Sequence, residues 1–239
     1  MIYAFVLLTF LLQSGSMREY TTSTFRLRYE RGLTGEDVKF LAGRFEETYQ
    51  DLSKEYDIVL DRRIEVRIVS SALRLKAEAK LSPFSDGVVR NDRIYIVATS
   101  PVRDMETIND VITRVVMSAM WGDIQTCPRW LAAAYALYAG NAIDKFEQPA
   151  AVDAYTFEDL SEEFLRADNE KEVKEVYAKL AATADYLVHR YGEGKFKAFI
   201  MEFKKSGITV DEAVTTAFGD KITDIEKGLV KAFRSSRTH

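Results

Sequence analysis

Apolar residues along this chain change their spacing part-way through. In "STFRLRYE" they alternate, with Phe25, Leu27 and Tyr29 set against Arg26 and Arg28, the two-residue repeat of a strand with one covered face. "GEDVKFLAGRFEETYQDLSKEYD" then repeats every three or four residues through Val38, Leu41, Phe45, Tyr49 and Leu52, which predicts an amphipathic helix. Glu36 and Asp37 stand in its first turn, where the helix dipole favours acids. "RIEVRIVSS" alternates again, and "DGVVRNDRIYIVAT" reads as two short strands joined at Asn91-Asp92. The first hundred residues therefore predict strand, helix, strand and hairpin.

From Ser100 the helical spacing takes over. "TIND", Thr107 to Asp110, has the form of a capping box opening a helix through Val111, Ile112, Val115, Val116, Ala119 and Met120. Pro128 opens the next helix and Gly140 ends it. "KEVKEVYAKLAATADYLVHRYGEGKFKAFIMEFKKSG" predicts two amphipathic helices broken at Gly192 and Gly194, while "TVDEAVTTAFG" and "TDIEKGLVKAF" predict two more, each capped by its threonine. The fold class is α+β. A mixed α/β lobe with a small sheet spans 18–100, and a helical lobe spans 101–239 and begins with a central helix pair; a cleft is expected where the two meet.

Composition narrows the chemistry. With 47% apolar residues and only 4 prolines in 239, the chain has enough buriable surface to fold. Its 33 basic and 37 acidic side chains are interspersed, net -4, which speaks against a nucleic-acid partner because that needs a basic stripe. A lone Cys127 rules out an internal disulfide and cysteine-cluster zinc sites, and the only histidines are His189 and His239. The apolar run from Ile2 to Leu12 is too short to span a bilayer. It predicts a signal-peptide core over 1–17, hence export to the envelope or beyond, with a buried N-terminal strand or helix as the alternative.

Four segments, in this order, resemble one family: "DRIYIVA" before the central helix, "PRWLAAAYALYAG" after it, "VYAKLAATADYLVHRYGEGKFKAFI", and "ITVDEAVTTAFGDKITDIEKGLVKAF". Together they are similar to the gluzincin-type zinc metallopeptidases, specifically peptidase-MA-like domains, and imply a thermolysin-like arrangement over Phe25 to Phe233. The family's chemistry needs His-Glu-x-x-His on the central helix, whose i and i+4 residues share a face and hold zinc while the glutamate activates the bound water. A glutamate from the next helix completes the ligands. Under the resemblance the first motif falls on Arg114, Val115, Val116, Met117 and Ser118, the second glutamate on Ala133, and the glycine after it on Ala134.

None of those side chains suits the task. Arg114 has no lone pair to give and carries a fixed positive charge; Val115 accepts no proton; Ser118 is a neutral hydroxyl and Ala133 a methyl. The resemblance thus implies a non-catalytic, pseudopeptidase domain with no metal and no cofactor, binding a peptide or protein through the remaining cleft. Residues expected to line that cleft are Arg114, Trp130, Arg93 and Tyr95, with Arg93 to Val97 acting as an edge strand that offers its backbone to an extended segment. The alternative for Arg114 is a salt bridge within the core.

Other chemistries are weaker. His189 near a helix end reads as a surface or capping residue. "GEGKF" is a helix break and lacks the length of a phosphate loop. Cys127 and the serines lack a histidine base. Trp121 and Trp130 are expected to pack. Two further functions stay open: a hydrolase built on paired carboxylates about 5 to 10 Å apart, and a purely structural interaction domain with a filled cleft and an exposed apolar patch.

Overall fold

Alternation in the strand Phe25–Tyr29 places Phe25 and Leu27 out of contact with water while Arg26 stays exposed. The computed structural model describes residues 17–235, except 31, 80–86, 91, 99–104, 148 and 150–154. The expected leader, Asn91 of the hairpin turn and His239 lie outside the described residues.

The described residues form a mixed α+β fold. β1 (Arg18–Thr21) pairs antiparallel with β2 (Phe25–Tyr29). Helix α1 (Gly35–Tyr56) then crosses over to β3 (Ile64–Val69), which lies parallel to β2 with Phe25 opposite Ile64. After α2 (Ala72–Ala79), β4 (Gly87–Arg90) and β5 (Arg93–Val97) form the expected hairpin, and Asp92 in its turn takes a left-handed φ of 58°. β5 returns parallel to β3, so the strand order is β1-β2-β3-β5-β4. The periodicity misses β1 and α2. "REYT" is exposed along its whole length and has no apolar repeat, and α2 is too short to show one clearly.

Two faces of the sheet are treated differently. Phe25, Leu27, Ile64, Val66, Ile68, Ile94 and Ile96 belong to the main core with Val38, Leu41 and Phe45 of α1, and Phe25 meets Phe45 at 5.2 Å between ring centroids. On the other face Val69, Val88 and Tyr95 form a separate small cluster with Leu75 of α2. Beside that cluster runs a ladder of charges in which Glu65 meets Arg67 at 2.8 Å and both Arg28 and Arg93 at 3.6 Å.

The remaining helices are α3 (Met105–Asp123), α4 (Arg129–Ala139), α5 (Phe157–Arg166), α6 (Glu170–Tyr191), α7 (Glu193–Glu202), α8 (Val210–Phe218) and α9 (Ile222–Ser235), with a 3-10 turn at Ile143–Lys145. One continuous buried cluster joins them to the sheet. No helix among the described residues is long and apolar enough to cross a membrane. Capping boxes stand at Thr34 with Asp37, Thr156 with Asp159, and Thr209 with Glu212. α3 is already helical at Met105, two residues before the Thr107 expected to open it, and Thr223 likewise lies inside α9. Gly192, at φ 86°, breaks α6 from α7 in a conformation that favours glycine, whereas Gly194 is an ordinary residue of α7.

Helices α3 and α4 approach each other closely where Gly140 ends α4. A β-carbon there would fall 2.7 Å from Cβ of Arg114 and 2.8 Å from the carbonyl of Asp110, both on α3. Gly43, inside α1, has nothing within 4 Å of that position. Gly140→Ala is therefore expected to cost about 2 kcal/mol, as overpacking against backbone does, while Gly43→Ala should add about 0.5 to 1 kcal/mol through helix propensity. Urea unfolding of the two variants beside the parent checks both signs.

Candidate functional site

Helix α3 lies against the sheet where β4 and β5 pair, and Gly87 of β4 makes this contact tight. A β-carbon at Gly87 would sit 2.7 Å from Cγ1 of Val111 and 3.0 Å from Cγ1 of Val115. Arg114, one turn along α3 and only 8% exposed, donates from Nη2 to the Gly87 carbonyl at 3.1 Å. Its guanidinium thereby fastens helix to strand through a charge-assisted hydrogen bond in a buried setting.

Around that bond lies a cavity of about 20 Å³ lined by Arg114, Val115 and Ser118 of α3, Ala133, Ala136 and Leu137 of α4, Gly87 to Val89 of β4, and Tyr177 of α6. The four positions singled out by the resemblance thus meet at one point. Burial pushes the Tyr177 phenol above its usual range, and the nearby charge of Arg114 opposes it. As a zinc site these residues do not fit: a guanidinium, hydrocarbon and a single hydroxyl supply no set of donors for a dication. Among the described residues no group of three or more His, Cys, Asp or Glu is placed to hold a metal ion.

Three of the expected cleft residues lie elsewhere. Trp130 is buried, its ring stacked on Phe157 at 4.8 Å. Tyr95 faces α2 on the opposite side of the sheet, and Arg93, on that same side by alternation, is paired with Glu65. The edge assignment also needs correction. β5 is flanked by β3 and β4 and has no open edge; among the described residues the outermost strand on that side is β4. After β4 the hairpin returns inward and inserts β5 between β4 and β3, an outcome that strand periodicity does not encode.

From the small cavity, Val89, Ser118 and Tyr177 lead into a shallow groove. One hollow of about 80 Å³ is bounded by Arg62, Arg90, Arg129, Ser118, Ala132 and Phe164, among others, and a second of about 220 Å³ by Val89, Arg90, Arg129, Phe164, Leu165, Val176 and Tyr177, among others. The sequence reading passed over Arg90, Arg129 and Phe164. A signal for one exists: Arg129 stands in the first turn of α4, where the helix dipole disfavours a cation.

A larger cavity, about 650 Å³, lies between α5 and α6 and is lined by Asp159, Glu162, Glu163, Asp168, Glu172 and Glu175 together with Tyr155, Arg166 and Lys179. Its acid-rich wall is the setting that a carboxylate hydrolase calls for. Both oxygens of Glu163 accept from the buried Lys179, at 2.9 and 2.7 Å, and the Tyr155 hydroxyl donates to one of them at 3.2 Å. That carboxylate is engaged in holding a buried ammonium in place. His189 is exposed and paired with Asp185 at 2.9 Å.

Searched against protein-family models and against curated proteins, the chain gives no match. The reading of this site therefore rests on its own geometry.

Two outcomes follow. Arg114→Leu should lower stability by about 1 to 3 kcal/mol, since the buried Gly87 carbonyl loses its donor; a denaturant midpoint shift measures it. Cys127, at the turn between α3 and α4, is buried, which pushes its thiol up to about 12 against a weaker opposing hydrogen bond that the sulfur accepts from the Ala132 backbone N–H. At neutral pH it should react with a disulfide reagent only as fast as the protein unfolds, and prompt labelling of the native chain would contradict the packing described.

Proposed function

We propose that this chain is a non-catalytic relative of the gluzincin-type metallopeptidases that binds peptide or protein segments along the groove beside β4. One observation carries the reading: Arg114, Val115 and Ser118 of α3 and Ala133 of α4 converge on a single point directly beneath the outermost strand of the sheet. Residues at i, i+1 and i+4 of a helix share a face by geometry alone. That Ala133 joins them from a second helix, and that the end of the sheet lies over all four, is support that helix periodicity does not supply.

Under this reading the architecture is retained and its chemistry replaced. Where a peptidase has ligands and a base, this chain has a structural guanidinium tied to β4 and packed hydrocarbon. Binding then uses what a sheet end offers, the main-chain groups of an outer strand and alternating side-chain hollows beside it.

Restoring the lost residues tests the reading. The combined substitution Arg114→His, Val115→Glu, Ser118→His and Ala133→Glu should bind one zinc ion per chain, measured by elemental analysis after dialysis, with circular dichroism checking that the fold is kept. A folded variant that takes up no zinc would remove the reading, because the four positions would then not have the geometry it requires.

A further inference from the structure

Two strands end the sheet among the described residues, β4 beside the groove and β1 on the opposite side. Every residue of β1 is exposed. The turn after it shows which of its main-chain groups face outward. Thr22 donates its backbone N–H to the Phe25 carbonyl at 2.9 Å, so these two residues form a hydrogen-bonded pair. Such pairs alternate along an antiparallel ladder, which makes Tyr20–Leu27 and Arg18–Tyr29 the next ones and turns the N–H and C=O groups of Glu19 and Thr21 away from β2. They form an edge that another strand can join.

The side chains of β1 divide by alternation. Tyr20, opposite the fully buried Leu27, lies on the core side of the sheet and yet leaves 36% of its surface in water. Glu19 and Thr21 stand on the other side, opposite Arg28 and Arg26.

We propose that β1 pairs antiparallel with β1 of a second copy about a twofold axis at Tyr20, joining two sheets into one. A twofold axis perpendicular to the sheet sets one residue opposite its own copy and keeps opposed residues on the same side. Centred on Arg18 or Glu19, it would set like charges face to face, which is destabilising. Centred on Thr21, it would oppose Glu19 to Ser23, which lies in the turn. With Tyr20 at the centre, Glu19 meets Thr21 of the second copy, and the outward groups of both residues exchange both hydrogen bonds. Leu27 and Tyr20 of the two copies then run across the junction as one apolar row. On the other side Glu19 of the second copy comes into line with Thr21 and Arg26. No charged side chain has to leave its present partner, and Glu19 keeps Arg28 at 3.4 Å. This self-complementarity speaks for a second copy over a foreign strand, which would match it only by chance. So short a strand makes a small interface of the weak, concentration-dependent kind. The groove beside β4 is left open, so the proposal stands apart from the peptide-binding reading.

Sedimentation velocity of the full chain over a concentration series should show a reversible monomer–dimer equilibrium. Thr21→Pro removes an N–H that faces outward and leaves the β1–β2 ladder intact; it should weaken the dimer roughly thirtyfold, the scale of two hydrogen bonds per dimer. Crosslinking tests the register. Opposed residues of a non-hydrogen-bonded pair have Cα atoms about 4.5 Å apart, within disulfide reach, so Tyr20→Cys should give a disulfide-linked dimer on mild oxidation. Glu19→Cys, offset from its copy along the strand, should not, and the buried Cys127 should stay out of the reaction. A chain still monomeric at about 1 mM, a folded Thr21→Pro variant that dimerises undiminished, or Glu19→Cys linking as readily as Tyr20→Cys would each overturn the proposal. So would a monomeric chain that takes a fluorescein-labelled valine-threonine peptide along this edge, with binding lost in Thr21→Pro, since the occupant is then a foreign strand.

Discussion

The hydrogen bond from Arg114 to the Gly87 carbonyl fastens α3 to β4, with α4 packed behind it. It needs a strand whose residue has no side chain, because anything larger at Gly87 would collide with Val111 and Val115. It also needs α4 to lie close behind, which Gly140 permits by leaving room for Cβ of Arg114. Remove either glycine and the guanidinium loses its seat. A buried cation in a core is a cost unless its donors are satisfied, so this arrangement ties strand, helix and helix into one rigid unit.

That unit explains which parts of the molecule could be read from the sequence. Phe25, Leu27 and Tyr29 alternate because one side of β2 meets α1, and the same holds for Ile64, Val66 and Ile68 of β3. Periodicity reports burial on one face, and where burial is one-sided it was legible. It failed at β1, which is exposed along its length, and at the choice of the outermost strand. Strand order is decided by which residues of separate segments pair, and no local pattern carries that information.

The helix ends show a similar division. Thr209 with Glu212 was legible because a hydroxyl, an acid three residues on and an apolar run coincide, and Thr156 with Asp159 carries the same signature in a stretch that the wider pattern left unassigned. Thr107 has the signature, yet α3 is already helical two residues before it. Of the candidate site, Arg114, Val115 and Ser118 share a face by helix spacing, whereas their meeting with Ala133 of α4 has no local signal in the sequence. Trp130 and Tyr95 were misplaced because an aromatic ring in a sequence does not reveal whether it faces a cleft or a core. Phe164 and Tyr177 reach the groove from helices later in the chain, a convergence only three dimensions display.

Helix α5 has a cavity on each side. Phe164 and Leu165 wall the groove, Asp159, Glu162 and Glu163 wall the larger acidic chamber, and Ala167 borders both. It is a partition, and space gained on one side is space lost on the other. The Glu163–Lys179 pair, at 2.7 Å, clamps α5 to α6 and so fixes where that partition rests.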